Sequence, residues 1–188
     1  AAADQGMHAT YLGPSGTHLG HKETAKDTAR VLDRIYDAIE YRGFSQTTVQ
    51  TLADYASVPV YNGLTDEFHP TQILADFLTM QEHTGRRLPD ISCCFVGDTG
   101  SNMGDSLLIG AAKMGMDVRL LGPKETWPAQ DVMDYARGLA EHSGARITVT
   151  DDIGEAVTGV DFVYTDVWLS MGEPESEWER RIVLMKQY

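Results

Sequence analysis

The segment Phe68-His69-Pro70-Thr71-Gln72-Ile73-Leu74-Ala75-Asp76 sets an imidazole, a proline and a carboxamide at the mouth of an amphipathic helix. Pro70 suits the first helical position, because its ring fixes φ and the missing N–H would have had no partner there. Ile73, Leu74, Phe77 and Leu78 then recur at helical spacing and define an apolar face. His69 and Gln72 therefore stand where free backbone N–H groups and the positive end of the helix dipole favour an anionic or strongly polar ligand. A histidine that merely adjoins a helix cap fits the same residues, and at this point both readings stand.

Three further groups carry chemistry. Tyr41-Arg42-Gly43 follows an apolar strand, which puts a guanidinium at a strand's carboxyl end, where α/β sheets present ligands. Its planar fork of donors suits phosphate or carboxylate oxygens, although a surface arginine has the same spacing. Gly97-Asp98-Thr99-Gly100-Ser101-Asn102-Met103-Gly104 joins a strand to a helix and has the look of a phosphate or dinucleotide loop. Its glycines do not follow G-x-G-x-x-G, and the next strand ends Leu121-Gly122-Pro123-Lys124 without the acidic residue a ribose needs, so a dinucleotide is not expected. Asp166 ends another strand, and Gly172 permits unusual backbone angles in the loop beyond it.

The run His69-Pro70-Thr71-Gln72 followed by Ile73-Leu74-Ala75-Asp76 resembles the hinge-helix motif of the carbamoyltransferases. Asp166-Val167-Trp168-Leu169-Ser170-Met171-Gly172 resembles the loop that separates their ornithine-using members from relatives acting on other acceptors. The similarity runs from Ala1 to Tyr188. It implies transfer of a carbamoyl group from carbamoyl phosphate to the δ-amine of ornithine, giving citrulline and phosphate, without a cofactor. By the same resemblance Arg42 and His69 polarise the carbamoyl oxygen, Gln72 holds the carbamoyl nitrogen, and Pro70 and Thr71 belong to the same contact set. His18 stands where the family usually carries a glutamine that reaches a neighbouring subunit's site, and it lacks that carboxamide's paired donor and acceptor. Asn102, Asp166, Ser170 and the Met171 backbone N–H match the ornithine contacts; carboxylate, hydroxyl and backbone donor together suit a zwitterion. A trimer-based homo-oligomer is implied for the full protein.

Strand-like apolar runs occur at Ala9–Leu12, Ala38–Tyr41, Pro59–Tyr61, Ile91–Val96, Val118–Leu121, Ile147–Val149 and Phe162–Tyr164. Helical periodicity fills most gaps, including Lys22–Tyr36, Thr47–Ala56, Met103–Met114, Ala129–His142 and Trp178–Met185. Strands alternating with helices at these lengths predict an α/β fold with mostly parallel sheets covered on both faces. The pattern divides near Gly85–Pro89. The expectation is two doubly wound parallel-sheet domains, both incomplete in this segment: a carbamoyl-phosphate domain over 1–84, whose hinge helix spans about 70–84, and an ornithine domain over 85–188. A ligand cleft is expected between the carboxyl ends of the two sheets.

Composition bounds the alternatives. A formal net charge of −13 argues against a general nucleic-acid or anionic-membrane surface, and no apolar run is long enough to span a bilayer. Cys93 and Cys94 are adjacent in an apolar run and read as buried packing residues on opposite strand faces, consistent with a reducing cytoplasm. Met103, Met114 and Met116 read as packing residues, and His21, His83 and His142 as cap or solvated residues. No His/Cys/Asp cluster has ligand spacing, so no metal is expected. Ala1–Gly6 reads as the last turn of a helix, and the Ser-Thr-Arg-Thr and His-Cys-Leu-Pro motifs of the family have no match, which points to a central piece of a longer enzyme, inactive alone. A carbamoyltransferase for another amine and a noncatalytic amino-acid- or phosphate-binding α/β module are the alternatives.

Overall fold

A computed structural model describes residues 2–13, 23–169 and 174–188. His18, Ser170, Met171, Gly172 and His21 lie outside the described residues. By packing, the chain separates into one unit of Ala1–Ile39 with Thr47–Val60 and a second of Glu40–Gln46 with Tyr61–Tyr188.

The first unit holds α1 (Ala25–Leu32) and most of α2 (Gln46–Tyr55). The periodicity from Lys22 overstates α1: the helix begins after Thr24, whose hydroxyl accepts the Asp27 N–H at 3.1 Å, and it ends at Leu32. Such a side-chain acceptor satisfies one of the free N–H groups of the first turn and fixes the start. Ala29, Val49, Leu52 and Ile39 form a small buried apolar set. The Asp33 carboxylate accepts from the Ser57 N–H, the Ser57 hydroxyl at 2.8 Å and the Val58 N–H at 3.1 Å. The strand expected at Ala9–Leu12 is irregular, because no neighbouring strand among the described residues pairs with its backbone. The turn expected at the N-terminus is present as a short 3₁₀ helix, Ala3–Gln5, closed by Gly6 at φ 76°.

Strands β1 (Ile39–Arg42) and β2 (Val60–Leu64) form a two-stranded sheet. In the second unit β3 (Ser92–Val96), β4 (Asp117–Leu121), β5 (Arg146–Thr150) and β6 (Phe162–Thr165) form a four-stranded sheet in the order β5-β4-β3-β6. All three pairings are parallel, with Cys93 opposite both Val118 and Phe162. Helices α3 (Pro70–Thr84), α4 (Asn102–Met114) and α5 (Gln130–Ser143) each close on a glycine with positive φ, which a Cβ would oppose. The short α6 (Ile153–Val157) and α7 (Trp178–Met185) complete the unit.

The sheet is covered on both faces, as a doubly wound parallel sheet must be. One core joins Phe95, Leu107, Leu108, Val118 and Leu120 with Ile73, Phe77 and Met80 of α3; the other joins Cys94 and Leu121 with Ala156. Cys93 falls in the first and Cys94 in the second, so the two thiols point to opposite faces. Burial pushes them up to about 12 and about 11. Helices α3 and α4 approach closely at Gly110, where a Cβ would stand 2.7 Å from Ile73 Cγ2 and 3.1 Å from Phe77 Cζ.

Only half of the apolar face expected on α3 is buried. Ile73 and Phe77 pack on α4, whereas Leu74 and Leu78 are 69% and 57% exposed along an apolar groove of about 780 Å³ that Tyr135 also lines. Met103 and Met116 are buried as expected, but Met114 is 45% exposed on the same groove. Among the described residues no helix is long and apolar enough to cross a membrane.

Candidate active site

The order β5-β4-β3-β6 has its switch point between β3 and β6, since the chain winds outward one way from β3 through β4 to β5 and then returns to the other side. Parallel α/β sheets bind ligands beyond the carboxyl ends of the strands at such a point. Gly97–Ser101 leaves the end of β3, and Asp166 follows the end of β6. Gly97 takes φ 132°, a conformation that L side chains rarely adopt, and so turns the chain out of the sheet.

Arg42, His69, Gln72, Asn102 and Asp166 all lie in the second unit. A continuous hydrogen-bond network positions His69 and Asn102. Thr65, wholly buried just beyond β2, donates its hydroxyl to Gln46 Oε1 at 2.8 Å, and its hydroxyl also accepts the Phe68 N–H at 3.0 Å. The Thr65 carbonyl accepts from Asn102 Nδ2 at 2.8 Å. The His69 N–H donates to Ser106 Oγ at 2.7 Å, and that hydroxyl donates to the Asn102 carbonyl at 2.5 Å. The start of α3, the start of α4 and the end of β2 are thus tied through buried polar groups that have protein partners.

His69 occupies the N-cap position of α3, yet its side chain makes no capping hydrogen bond. The imidazole is half-buried, and its Nδ1 lies 3.4 Å from Thr71 Oγ1. Burial lowers its pKa first and the Arg42 charge second; Asp76, Asp166 and Glu40 act in the opposite sense. A neutral imidazole retains one N–H donor, which is what polarising a carbonyl oxygen requires. Arg42 is exposed at the end of β1, with Nη1 3.5 Å from the Gly63 carbonyl, leaving most of its donor fork for a ligand.

Asn102 is the first residue of α4, capped by Ser101, whose hydroxyl accepts the Gly104 N–H at 3.2 Å. One hydrogen of its amide serves Thr65, and the second is available to a carboxylate. Asn102 also lines a cavity of about 260 Å³ with Asp66, Asp98, Trp127 and Arg181. There Arg181 Nη1 bridges Asp98 at 2.9 Å, both side chains being largely buried. That pair joins residues 83 positions apart in a way periodicity cannot signal. The imidazoles of His83 and His142 each donate from Nδ1 to the carbonyl four residues back, at 2.9 Å, as bystanders do.

Two residues that the sequence reading did not single out as functional complete the cluster. Asp76 accepts from Gln72 Nε2 at 2.9 Å and acts on the His69 charge. Its spacing of four from Gln72 on one helix was the available signal. Ser106, four residues beyond Asn102, carries the link to the His69 backbone.

The chain is similar to known proteins over nearly its whole length. Residues 1–82 match the family described as aspartate/ornithine carbamoyltransferase, carbamoyl-P binding domain, and residues 89–188 match its Asp/Orn binding domain. An ornithine carbamoyltransferase of Neisseria animalis is 59% identical over 185 residues, covering 98% of this chain and 80% of that protein. The catabolic ornithine carbamoyltransferase of Rhizobium meliloti (strain 1021) is 57% identical over 188 residues, covering 100% of this chain and 56% of that protein. The solved ornithine carbamoyltransferase of Pyrococcus furiosus matches with a TM-score of 0.89 at 42% identity, over 97% of this chain and 57% of that one. The chain thus spans just over half the length of two of these relatives and four-fifths of the third. It belongs to the aspartate/ornithine carbamoyltransferase family and groups there with the ornithine carbamoyltransferases.

Proposed function

We propose that the protein carrying this chain transfers the carbamoyl group of carbamoyl phosphate to the δ-amine of L-ornithine, giving L-citrulline and phosphate. The observation that carries this reading is that the charges of Arg42, at the end of β1, and Asp166, just beyond β6, both act on the half-buried imidazole of His69 at the start of α3. The identity to two ornithine carbamoyltransferases supports the choice of substrates.

In this reading the attacking amine pushes negative charge onto the carbamoyl oxygen while phosphate leaves. Arg42 and the N–H of neutral His69 stabilise that charge, at about 3–4 kcal/mol per well-aimed donor. Gln72 accepts a hydrogen of the carbamoyl nitrogen, and His18, Pro70 and Thr71 complete the carbamoyl-phosphate contacts. Asn102 gives its remaining amide hydrogen to the ornithine carboxylate beside the Met171 N–H, while Asp166 and Ser170 hold the amino groups. Carbamoyl phosphate is a mixed anhydride and already activated, so no cofactor or metal is invoked. The carbamoyl-phosphate domain occupies 1–84 and the ornithine domain 85–188, with α3 as the hinge; the two family matches, ending at 82 and starting at 89, favour this division. A trimer-based homo-oligomer in the cytoplasm belongs to the same reading.

The test is citrulline formation by the purified full-length protein from carbamoyl phosphate and ornithine. His69→Ala and Arg42→Ala are each expected to lower turnover by about a hundredfold or more. Unchanged turnover removes them from the catalytic role, and faster carbamoylation of a different amine would redirect the acceptor assignment. Asp166→Asn is expected to raise KM for ornithine more than KM for carbamoyl phosphate.

A further inference from the structure

We propose that Asp76 is a positioning residue that sets the orientation of the Gln72 carboxamide, and thereby selects a carbamoyl over an acyl donor. The proposal rests on the carbamoyl-transfer reading above and adds the source of its donor specificity.

A side-chain amide has two nearly isosteric ends, one donating and one accepting. Left to itself in a half-buried site, Gln72 presents either end to a ligand. An ionised carboxylate only accepts, so a hydrogen bond between Gln72 and Asp76 admits one arrangement: Nε2 toward Asp76, at 2.9 Å, and Oε1 turned away from it. The carbamoyl nitrogen bears hydrogens and needs an acceptor, which Oε1 supplies. With the amide reversed, Nε2 would face those hydrogens, and the contact would repel.

Spacing alone does not make such a device. Gln130 and Asp134 form the same pair at 2.7 Å, as do Gln50 and Asp54 at 2.8 Å, but both of these are exposed surface pairs. The Gln72–Asp76 pair differs in three ways. It is partly buried, and Asp76 Oδ2 is wholly shielded from solvent. The Tyr164 hydroxyl of β6 faces the same carboxylate, and burial, followed by the charges of Asp76 and Asp166, raises the pKa of the phenol. The charge of Asp76 also acts on the His69 imidazole, about two turns away at the helix mouth. The carboxylate is thus held among the groups assigned to the donor.

Acetyl phosphate, in which a methyl group replaces the carbamoyl amine, is the probe. A site that hydrogen-bonds an N–H discriminates strongly against an analogue lacking it. In the full-length protein, the inhibition constant of acetyl phosphate is compared with KM for carbamoyl phosphate. Asp76→Asn offers both a donor and an acceptor and frees the amide to turn. The ratio is expected to fall by about fivefold or more, with Asp76→Glu restoring part of it. Tyr164→Phe, a milder change, is expected to shift the ratio in the same direction by about twofold. A ratio in Asp76→Asn within twofold of the parent, whatever happens to turnover or melting temperature, overturns the proposal. So does a parent protein that binds both phosphates equally. Absence of citrulline formation by the parent overturns instead the reading on which the proposal stands.

Discussion

Asp105, in the first turn of α4, is the residue whose surroundings conflict most with its charge. Its Oδ1 is buried without a hydrogen-bond partner, and desolvation, then the charges of Asp98 and Asp131, push its pKa up to about 7. The folded-state value lies above the ordinary 3.8. Between these values the folded protein keeps a proton that the unfolded chain has lost, so stability falls as pH rises across this window and levels off above it. Asp105→Asn removes the conflict. Urea unfolding is expected to show the variant more stable than the parent at pH 8, on the order of 2 kcal/mol after allowing for solvent screening, with the two converging near pH 4. A constant difference across that range would mean that the carboxyl does not titrate as described. His69 and Gln72 were readable as candidates from helix-start chemistry, whereas Arg42 joined them only through the family resemblance. Asp76 and Ser106 were not singled out, because four-residue spacing on a helix is common and only burial separates a working pair from a surface one.

Among the elements, α3 decides the site, because it carries His69 and Gln72 at one end and packs on α4 through Ile73 and Phe77. Its approach to α4 depends on Gly110. Alanine there would press on Ile73 Cγ2 at 2.7 Å and on Phe77 Cζ at 3.1 Å, and its better helix propensity offsets only part of that strain. Gly110→Val adds bulk on both sides of that contact and is expected to lose about 2–3 kcal/mol in urea unfolding. A loss below about 0.5 kcal/mol would show that the helices separate without cost, contrary to close packing. Sequence periodicity located this helix and its proline start and grouped Leu74 and Leu78 with Ile73 and Phe77 on one apolar face, of which only Ile73 and Phe77 are buried. Apolar spacing reports which residues share a face; it does not report how wide the neighbouring helix is. The strand expected at Ala9–Leu12 failed for a related reason, since a strand exists only where a partner accepts its hydrogen bonds.

At the scale of the whole molecule, the two packing units differ sharply in what they bury. The first relies on Ala29, Ile39, Val49 and Leu52, whereas the second closes a four-stranded parallel sheet between two apolar layers. Local opening is easier where fewer apolar groups are buried. Amide exchange of α1 and α2 is therefore expected to be at least about tenfold faster than that of β3 and β4, and equal protection would contradict it. What the sequence determined by itself was the alternation of strands and helices, the two-faced cysteine pair and the residue types at the mouth of α3. These are local, set by periodicity of 2 or 3.6 residues and by backbone sterics. Only the tertiary structure decided the strand order that puts the switch point between β3 and β6, the Asp98–Arg181 bridge, and the network from Thr65 through Asn102 and Ser106 to His69. These join positions far apart in the chain, and their energies depend on burial and on which partners are brought within hydrogen-bond distance, neither of which a linear spacing encodes.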